Sequence, residues 1–134
     1  FVYPVHLSPA VRKPVMSILA DKHGVLLTDP VDVADMHNLI AKSFFIMTDS
    51  GGIQEEAPSF HKPVLVLRTE TERPEAVAAG TVKVIGTDTD RVIAEAEALI
   101  SDKAEYDKMA AAQNPYGDGH ASERIIEAIR GYFA

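Results

Sequence analysis

Short apolar runs alternate with amphipathic stretches along nearly the whole chain. The runs lie at residues 1–5, 25–28, 44–47, 64–67 and 81–85. They are of strand length; the run at 44–47 suits a sheet buried on both faces, and that at 64–67 is fully apolar. Between them the period changes. Val33, Met36, His37 and Ile40 recur at i, i+3, i+4 and i+7, which predicts a helix with a core-facing stripe. Val92, Ala96, Leu99 and Ile100 share one face of another predicted helix. Ile125, Ile126, Ile129, Tyr132 and Phe133 mark a last one, whose apolar side reads as a packing face.

Turn and cap signals set the boundaries. Ser8 can cap a helix that Pro9 opens, with Pro14 expected to kink or delay it. Lys22-His23-Gly24 reads as a turn, and Asp32 as the cap of the helix at 33. Thr87-Asp88-Thr89-Asp90 resembles a capping box with Asp in place of Glu. Asn114-Pro115-Tyr116-Gly117-Asp118-Gly119 is a loop by composition. Strand–helix alternation predicts an α/β fold, a Rossmann-like parallel sheet with helices on both faces and right-handed crossovers. Residues 1–134 are expected to form one such domain.

Composition narrows the function more than the fold. The chain has 134 residues, of which 46% are apolar and 25% charged, an ordinary globular balance for one domain with a sizeable core. The net charge is −7 and no basic stripe appears, which argues against nucleic acid as a partner. Seven acids between Asp88 and Asp107 read as a solvated helical face. Cysteine is absent, which excludes disulfides, thiol chemistry and thiolate metal sites. No His, Asp and Glu cluster has metal-ligand spacing, and no nucleophile–base pair is legible. No cofactor is called for. No run approaches membrane-spanning length, so no membrane partner is expected and the expected compartment is the cytoplasm. The chain opens on Phe1-Val2-Tyr3-Pro4-Val5 without methionine and inside an expected strand, so it is expected to be a segment of a longer protein.

In an open parallel sheet, ligands bind outside the carboxyl ends of the strands. That rule puts His6, Asp29, Asp49-Ser50-Gly51-Gly52, the loop 68–73 and Gly86 on one edge, and His23, His61 and Lys62 on the other. The sharpest signal is Ser50-Gly51-Gly52, between a strand and a short helix. Ser50 can cap that helix, and the glycines can offer backbone N–H groups to an anion. The same residues equally describe a tight turn that binds nothing. Ile53, Ala57 and Phe60 face the core on this helix, Glu56 falls on the flank, and Glu55 is expected to point into solvent. Glu56 lies about 9 Å along the axis from Ser50, so with a diphosphate on the glycines a ribose can lie alongside it, and a carboxylate accepts hydrogen bonds from both ribose hydroxyls. It can also be an acid paired with a nearby base. Arg68 and Arg73 stand in a charged loop where an arginine can clamp a phosphate or simply form internal salt bridges. His6 can meet a ligand or a neighbouring domain, or make a structural hydrogen bond at a strand end. His37 reads as a satisfied residue at the core edge.

Six segments, in order, carry a resemblance. They are Tyr3-Pro4-Val5-His6-Leu7-Ser8-Pro9, Thr48-Asp49-Ser50-Gly51-Gly52-Ile53-Gln54-Glu55-Glu56-Ala57-Pro58, Lys62-Pro63-Val64-Leu65-Val66-Leu67-Arg68, Thr71-Glu72-Arg73-Pro74-Glu75-Ala76-Val77, Gly80-Thr81-Val82-Lys83 and the loop at 114–119. Together they resemble the C-terminal half of the non-hydrolysing UDP-N-acetylglucosamine 2-epimerases. The resemblance implies one half of a GT-B fold, with the active site between two Rossmann-like domains. It implies interconversion of UDP-N-acetylglucosamine and UDP-N-acetylmannosamine by elimination and re-addition of UDP, in the service of cell-surface polysaccharide biosynthesis. In that picture Ser50, Gly51 and Gly52 hold the diphosphate, Glu56 the ribose, and Arg73 lies close to the phosphates. The uracil lies near residues 29–36. His6 faces the cleft that holds substrate and, in bacterial members, a regulatory UDP-N-acetylglucosamine. The implied partners are UDP or a UDP-sugar, an N-terminal domain on which the last helix partly packs, and a second copy in a full-length homodimer. The family's usual glycine is replaced by His61, in a position suited to a left-handed cap. Its proton-transfer residues lie outside these 134 residues. The chain alone is therefore expected to bind UDP weakly and to lack epimerase activity. Two other readings stay open: a stand-alone nucleotide-sugar binding or regulatory module, and half of a GT-B glycosyltransferase.

Overall fold

Every strand in the computed structural model, which describes residues 1–133, pairs in parallel. Two ladders form among the described residues, β1 (Val2–Pro4) with β2 (Leu26–Thr28), and β3 (Ile46–Thr48), β4 (Val64–Val66) and β5 (Val82–Val84) in that order. The expected α/β class with parallel strands and interleaved helices is what the chain adopts. Alternation of strand and helix carries no information on which strands exchange hydrogen bonds, and the ladders supply it. The chain divides into two compact units, Phe1–Leu39 and the residues from Ile40 on.

In the first unit, Tyr3 stands opposite Leu27, and the ladder is extended by Val5 N–H donating to the Thr28 carbonyl at 2.9 Å. Val5 is buried. Helix α1 (Pro9–Leu19) joins the two strands. It starts at Pro9 and runs through Pro14, so the proline does not delay it, and Ser17 Oγ donates to the Pro14 carbonyl at 2.9 Å. Ser8 stands at its N-cap without a side-chain cap bond among the described residues. Arg12 pairs with Asp29 at 2.6 Å, both on the surface. Helix α2 (Val33–Lys42) starts in this unit, and Asp32 Oδ1 accepts from Asp35 N–H at 2.8 Å, the expected cap. Val33 is exposed rather than core-facing, whereas Ile40, at the other end of the stripe, is buried.

The second unit is organised around β4. Val64, Leu65 and Val66 are all completely buried, so this strand is covered on both faces. β3 and β5 flank it, with Met47 and Lys83 level with Leu65. The expectation of a doubly buried strand at 44–47 fails, because β3 is a ladder edge and Met47 and Phe44 are exposed. After β3 come α3 (Gly51–Glu56) and a 3₁₀ turn at Ala57–Phe60, where Pro58 is buried. After β4 comes a loop, then α4 (Pro74–Ala79), ended by Gly80 at φ 84°, whose N–H reaches both the Ala76 and Val77 carbonyls. After β5 come α5 (Thr89–Ser101), α6 (Lys103–Ala110) and α7 (Ala121–Phe133).

Leu65, Ile85, Leu99 and Met109 form the core here, with Phe45, Leu67, Val92 and Ala96 packed against them. Ile100 is exposed, one step beyond the buried stripe of α5. Asp88, not Thr87, caps α5, its carboxylate accepting from Arg91 N–H at 3.0 Å. Asp102 caps α6 in the same way. The loop at 114–119 is tied at both ends. Asn114 Nδ2 donates to Ser59 Oγ at 2.9 Å, and Asp118 accepts from Arg124 and from the His120 N–H. The Arg124 guanidinium holds the Asp118 carboxyl below the usual carboxylate range. All of α7 is exposed, Tyr132 and Phe133 most of all and Ile125, Ile126 and Ile129 by about half, so none of its apolar residues is buried among the described residues. No helix among the described residues is long and apolar enough to cross a membrane.

His61 closes the 3₁₀ turn at φ 55°, ψ 41°, the left-handed region that was expected there. A β-carbon is disfavoured in that conformation, and the His61 side chain is exposed. Replacing it should therefore cost little contact. His61→Gly is expected to raise stability by about 0.5–1 kcal/mol in urea unfolding. A loss would show that the imidazole is held by its surroundings.

Candidate functional site

The second unit brings two loops together at the carboxyl ends of β3 and β4. The first is Thr48-Asp49-Ser50-Gly51-Gly52. Ser50 N–H donates to Thr48 Oγ1 at 3.0 Å, which turns the chain sharply off the strand. Ser50 then occupies the N-cap of α3 with extended backbone, φ −80° and ψ 130°. Its hydroxyl makes no cap bond among the described residues, so the expected side-chain cap is not formed. The first helical bond instead comes from the backbone, Gln54 N–H to the Ser50 carbonyl at 3.3 Å.

The second loop carries the arginines, and it separates their roles. Arg68 Nη1 donates to both oxygens of Glu72 at 3.1 Å, which is the internal salt bridge. Arg73 turns the other way. Its Nε donates to Glu55, and its Nη1 to the Glu72 carbonyl at 3.1 Å. That leaves Nη2, which lies 3.6 Å from where a β-carbon on Gly51 would stand. The Glu55 hydrogen bond and charge raise the guanidinium pKa above its already high value, so the cation is permanent.

Glu55 is the clearest correction. It was expected in solvent; it is partly buried and anchors Arg73. A helix of six residues that runs on into a 3₁₀ turn does not keep the angles of a long α-helix, so an angular estimate fails there. Glu56 is exposed, and its Oε1 lies 3.8 Å from a β-carbon built on Gly52. Ser50 Oγ lies 3.9 Å from that same point. Ser50, Gly51, Gly52, Glu56 and Arg73 are therefore neighbours around one turn. His6 belongs to the first unit, where its Nδ1 accepts from Ser8 N–H at 3.1 Å.

The residue that sequence reasoning missed is Gln54. It is completely buried, between Ile53 and Glu55, which are only partly so. Its Oε1 accepts from Thr71 Oγ1 at 2.6 Å and its Nε2 donates to the Ser50 carbonyl at 3.2 Å. A polar residue one step off an apolar stripe gives no local sign of burial. Nearby, burial and then the charge of Glu75 push the Tyr116 phenol above its ordinary pKa.

The glycines are not explained by the protein alone. Gly51 and Gly52 are absent from the positive-φ residues, and a β-carbon on either would make only ordinary contacts. Alanine would suit this helix start better. What a β-carbon would occupy is the space between Arg73 Nη2, Ser50 Oγ and Glu56. The arrangement can hold an anion against the turn, with a carboxylate beside it for hydroxyl groups. Among the described residues no cluster of His, Cys, Asp and Glu could hold a metal ion.

Gly52→Ala is expected to leave stability unchanged or raise it by about 0.5 kcal/mol in chemical unfolding. A drop of about 1 kcal/mol or more would mean that the unliganded fold itself needs this glycine.

The family profile of UDP-N-acetylglucosamine 2-epimerase matches residues 1–130. A Bacillus subtilis UDP-N-acetylglucosamine 2-epimerase is 56% identical over 128 residues, 96% of this chain and 34% of that protein. A crystal structure of UDP-GlcNAc 2-epimerase from Neisseria meningitidis bound to UDP-GlcNAc superposes with a TM-score of 0.91 at 52% identity, covering 98% of this chain and 35% of that one. S. aureus MnaA in its UDP co-structure also gives 0.91, at 57% identity, over 98% of this chain and 36% of that one. The chain thus spans about a third of the length of the relatives it matches.

Proposed function

The chain belongs to the UDP-N-acetylglucosamine 2-epimerase family, and on that footing we propose that it is the UDP-holding part of an enzyme interconverting UDP-N-acetylglucosamine and UDP-N-acetylmannosamine. The observation that carries the reading is the turn at Gly51 and Gly52, where neither backbone conformation nor packing calls for glycine, while Arg73 Nη2 lies beside it. A diphosphate fits that space. The backbone amides of the turn and the guanidinium meet its oxygens, and the missing β-carbons let it approach. Glu56, beside Gly52, takes the ribose hydroxyls. Relatives solved with UDP and with UDP-GlcNAc support the choice of ligand.

In this reading the turn stabilises UDP as the leaving group and keeps it in place for re-addition. A permanent cation beside the departing diphosphate disperses the charge that builds as the glycosidic bond breaks. Proton transfer at C2 of the sugar falls to residues outside this chain, on an N-terminal domain. We also assign the whole enzyme to the cytoplasm and to a homodimer. His6 remains a proposed substrate contact, through a ring whose Nδ1 is already engaged by Ser8.

Calorimetric titration with UDP, UMP and pyrophosphate tests the site. Glu56→Ala is expected to weaken UDP about tenfold, a loss of 1.4 kcal/mol, and to leave pyrophosphate unchanged. Equal losses for the two ligands would refute the ribose role. The 134 residues on their own are expected to show no turnover of UDP-N-acetylglucosamine in a coupled UDP-ManNAc assay, and measurable turnover would sink that claim.

A further inference from the structure

Burying a glutamine is costly unless both ends of its amide are paired, and an apolar residue would fill the same space without that demand. Gln54 is completely buried and both ends are paired, on two different loops. Nε2 holds the Ser50 carbonyl at 3.2 Å, immediately before the glycine turn. Oε1 accepts from the Thr71 hydroxyl at 2.6 Å. That hydroxyl in turn accepts from the Arg73 backbone N–H at 3.1 Å. A continuous series of hydrogen bonds therefore runs from Ser50 through Gln54 and Thr71 to Arg73. Glu55 and Arg73 make a second link between the loops, but one that is partly open to water.

We propose that Gln54 and Thr71 are positioning residues, a clasp that fixes the separation of the Gly51–Gly52 turn from the Arg73 guanidinium so that both reach one phosphate group. The clasp touches no ligand. It acts by removing alternative placements of two loops that leave different strands, β3 and β4, and that nothing in the sheet itself holds together at their tips. Gln54 is buried with both ends of its amide paired, which narrows the geometries open to the two loops. The cost of ordering the arginine loop is then met in folding, and binding does not have to supply it. The inference rests on the reading of this turn as a diphosphate site.

The test is a titration of the chain with UDP and with pyrophosphate, using Thr71→Val, Thr71→Ser and Gln54→Met, with folding monitored by circular dichroism. Thr71→Val keeps the shape and removes the hydroxyl, so it decides the matter even if Gln54→Met does not fold. Thr71→Val is expected to weaken both ligands about tenfold. Thr71→Ser, which keeps the hydroxyl, is expected to bind within about twofold of the unmodified chain. In an Arg73→Ala background Thr71→Val is expected to add almost nothing, because the clasp acts through Arg73. A merely destabilising change would instead add its full loss in both backgrounds. Normal binding by Thr71→Val, or losses that add to those of Arg73→Ala, would overturn the clasp while leaving the diphosphate site standing. Failure of the unmodified chain to bind either ligand would overturn the site reading, and the clasp with it.

Discussion

The complete burial of β4 is the constraint on which the second unit depends. Val64, Leu65 and Val66 have no exposed surface, so the strand must be hydrogen-bonded on both edges and covered on both faces. β3 and β5 supply the edges in parallel register, and parallel strands require a crossover between each pair. Those crossovers are where α3 and α4 lie. The loops that precede these helices necessarily emerge at the carboxyl ends of adjacent strands, which is why Gly51 and Arg73 are neighbours although they stand 22 positions apart in the sequence.

From that adjacency the site follows with few additional parts. Thr48 turns the chain off β3, Glu55 and the Glu72 carbonyl occupy two faces of the Arg73 guanidinium, and the remaining nitrogen is left toward the glycines. Gln54 and Thr71 connect the same loops from inside. The charged pair lies near the surface and the amide pair lies beneath it, so the arginine is constrained on two levels. On the proposed reading of this turn as a diphosphate site, such preorganisation holds the ligand in one placement.

Much of this was legible from the chain alone. The order of strands and helices and the cap at Asp32 followed from local pattern and turn chemistry, and the left-handed His61 from the glycine usual in the family it resembles. So did the grouping of Ser50, Gly51, Gly52, Glu56 and Arg73, partly through the rule on strand ends and partly through resemblance to a family. What failed did so for identifiable reasons. Glu55 was misplaced because a six-residue helix ending in a 3₁₀ turn does not keep ideal angles. Met47 is exposed although its run is as apolar as the central one, because an edge strand and a central strand can share the same composition. The apolar face of α7 is real in the sequence, yet periodicity shows only that a face exists and not what covers it.

The sequence by itself determined the element types, the turn positions and the chemistry available at each strand end, because these depend on residues within a few positions of one another. Only the tertiary structure decided that Glu55 rather than solvent receives Arg73, and that Gln54 is buried as a link to Thr71. Each of these is a pairing between residues on different strand-end loops. Their energy depends on distance and burial in three dimensions, and no local pattern encodes it. Ser50-Gly51-Gly52 can be read from the chain as a turn able to take an anion, and the family resemblance adds Arg73 beside it; the carboxylate that holds this arginine, and the buried amide that links the two loops, belong to the fold.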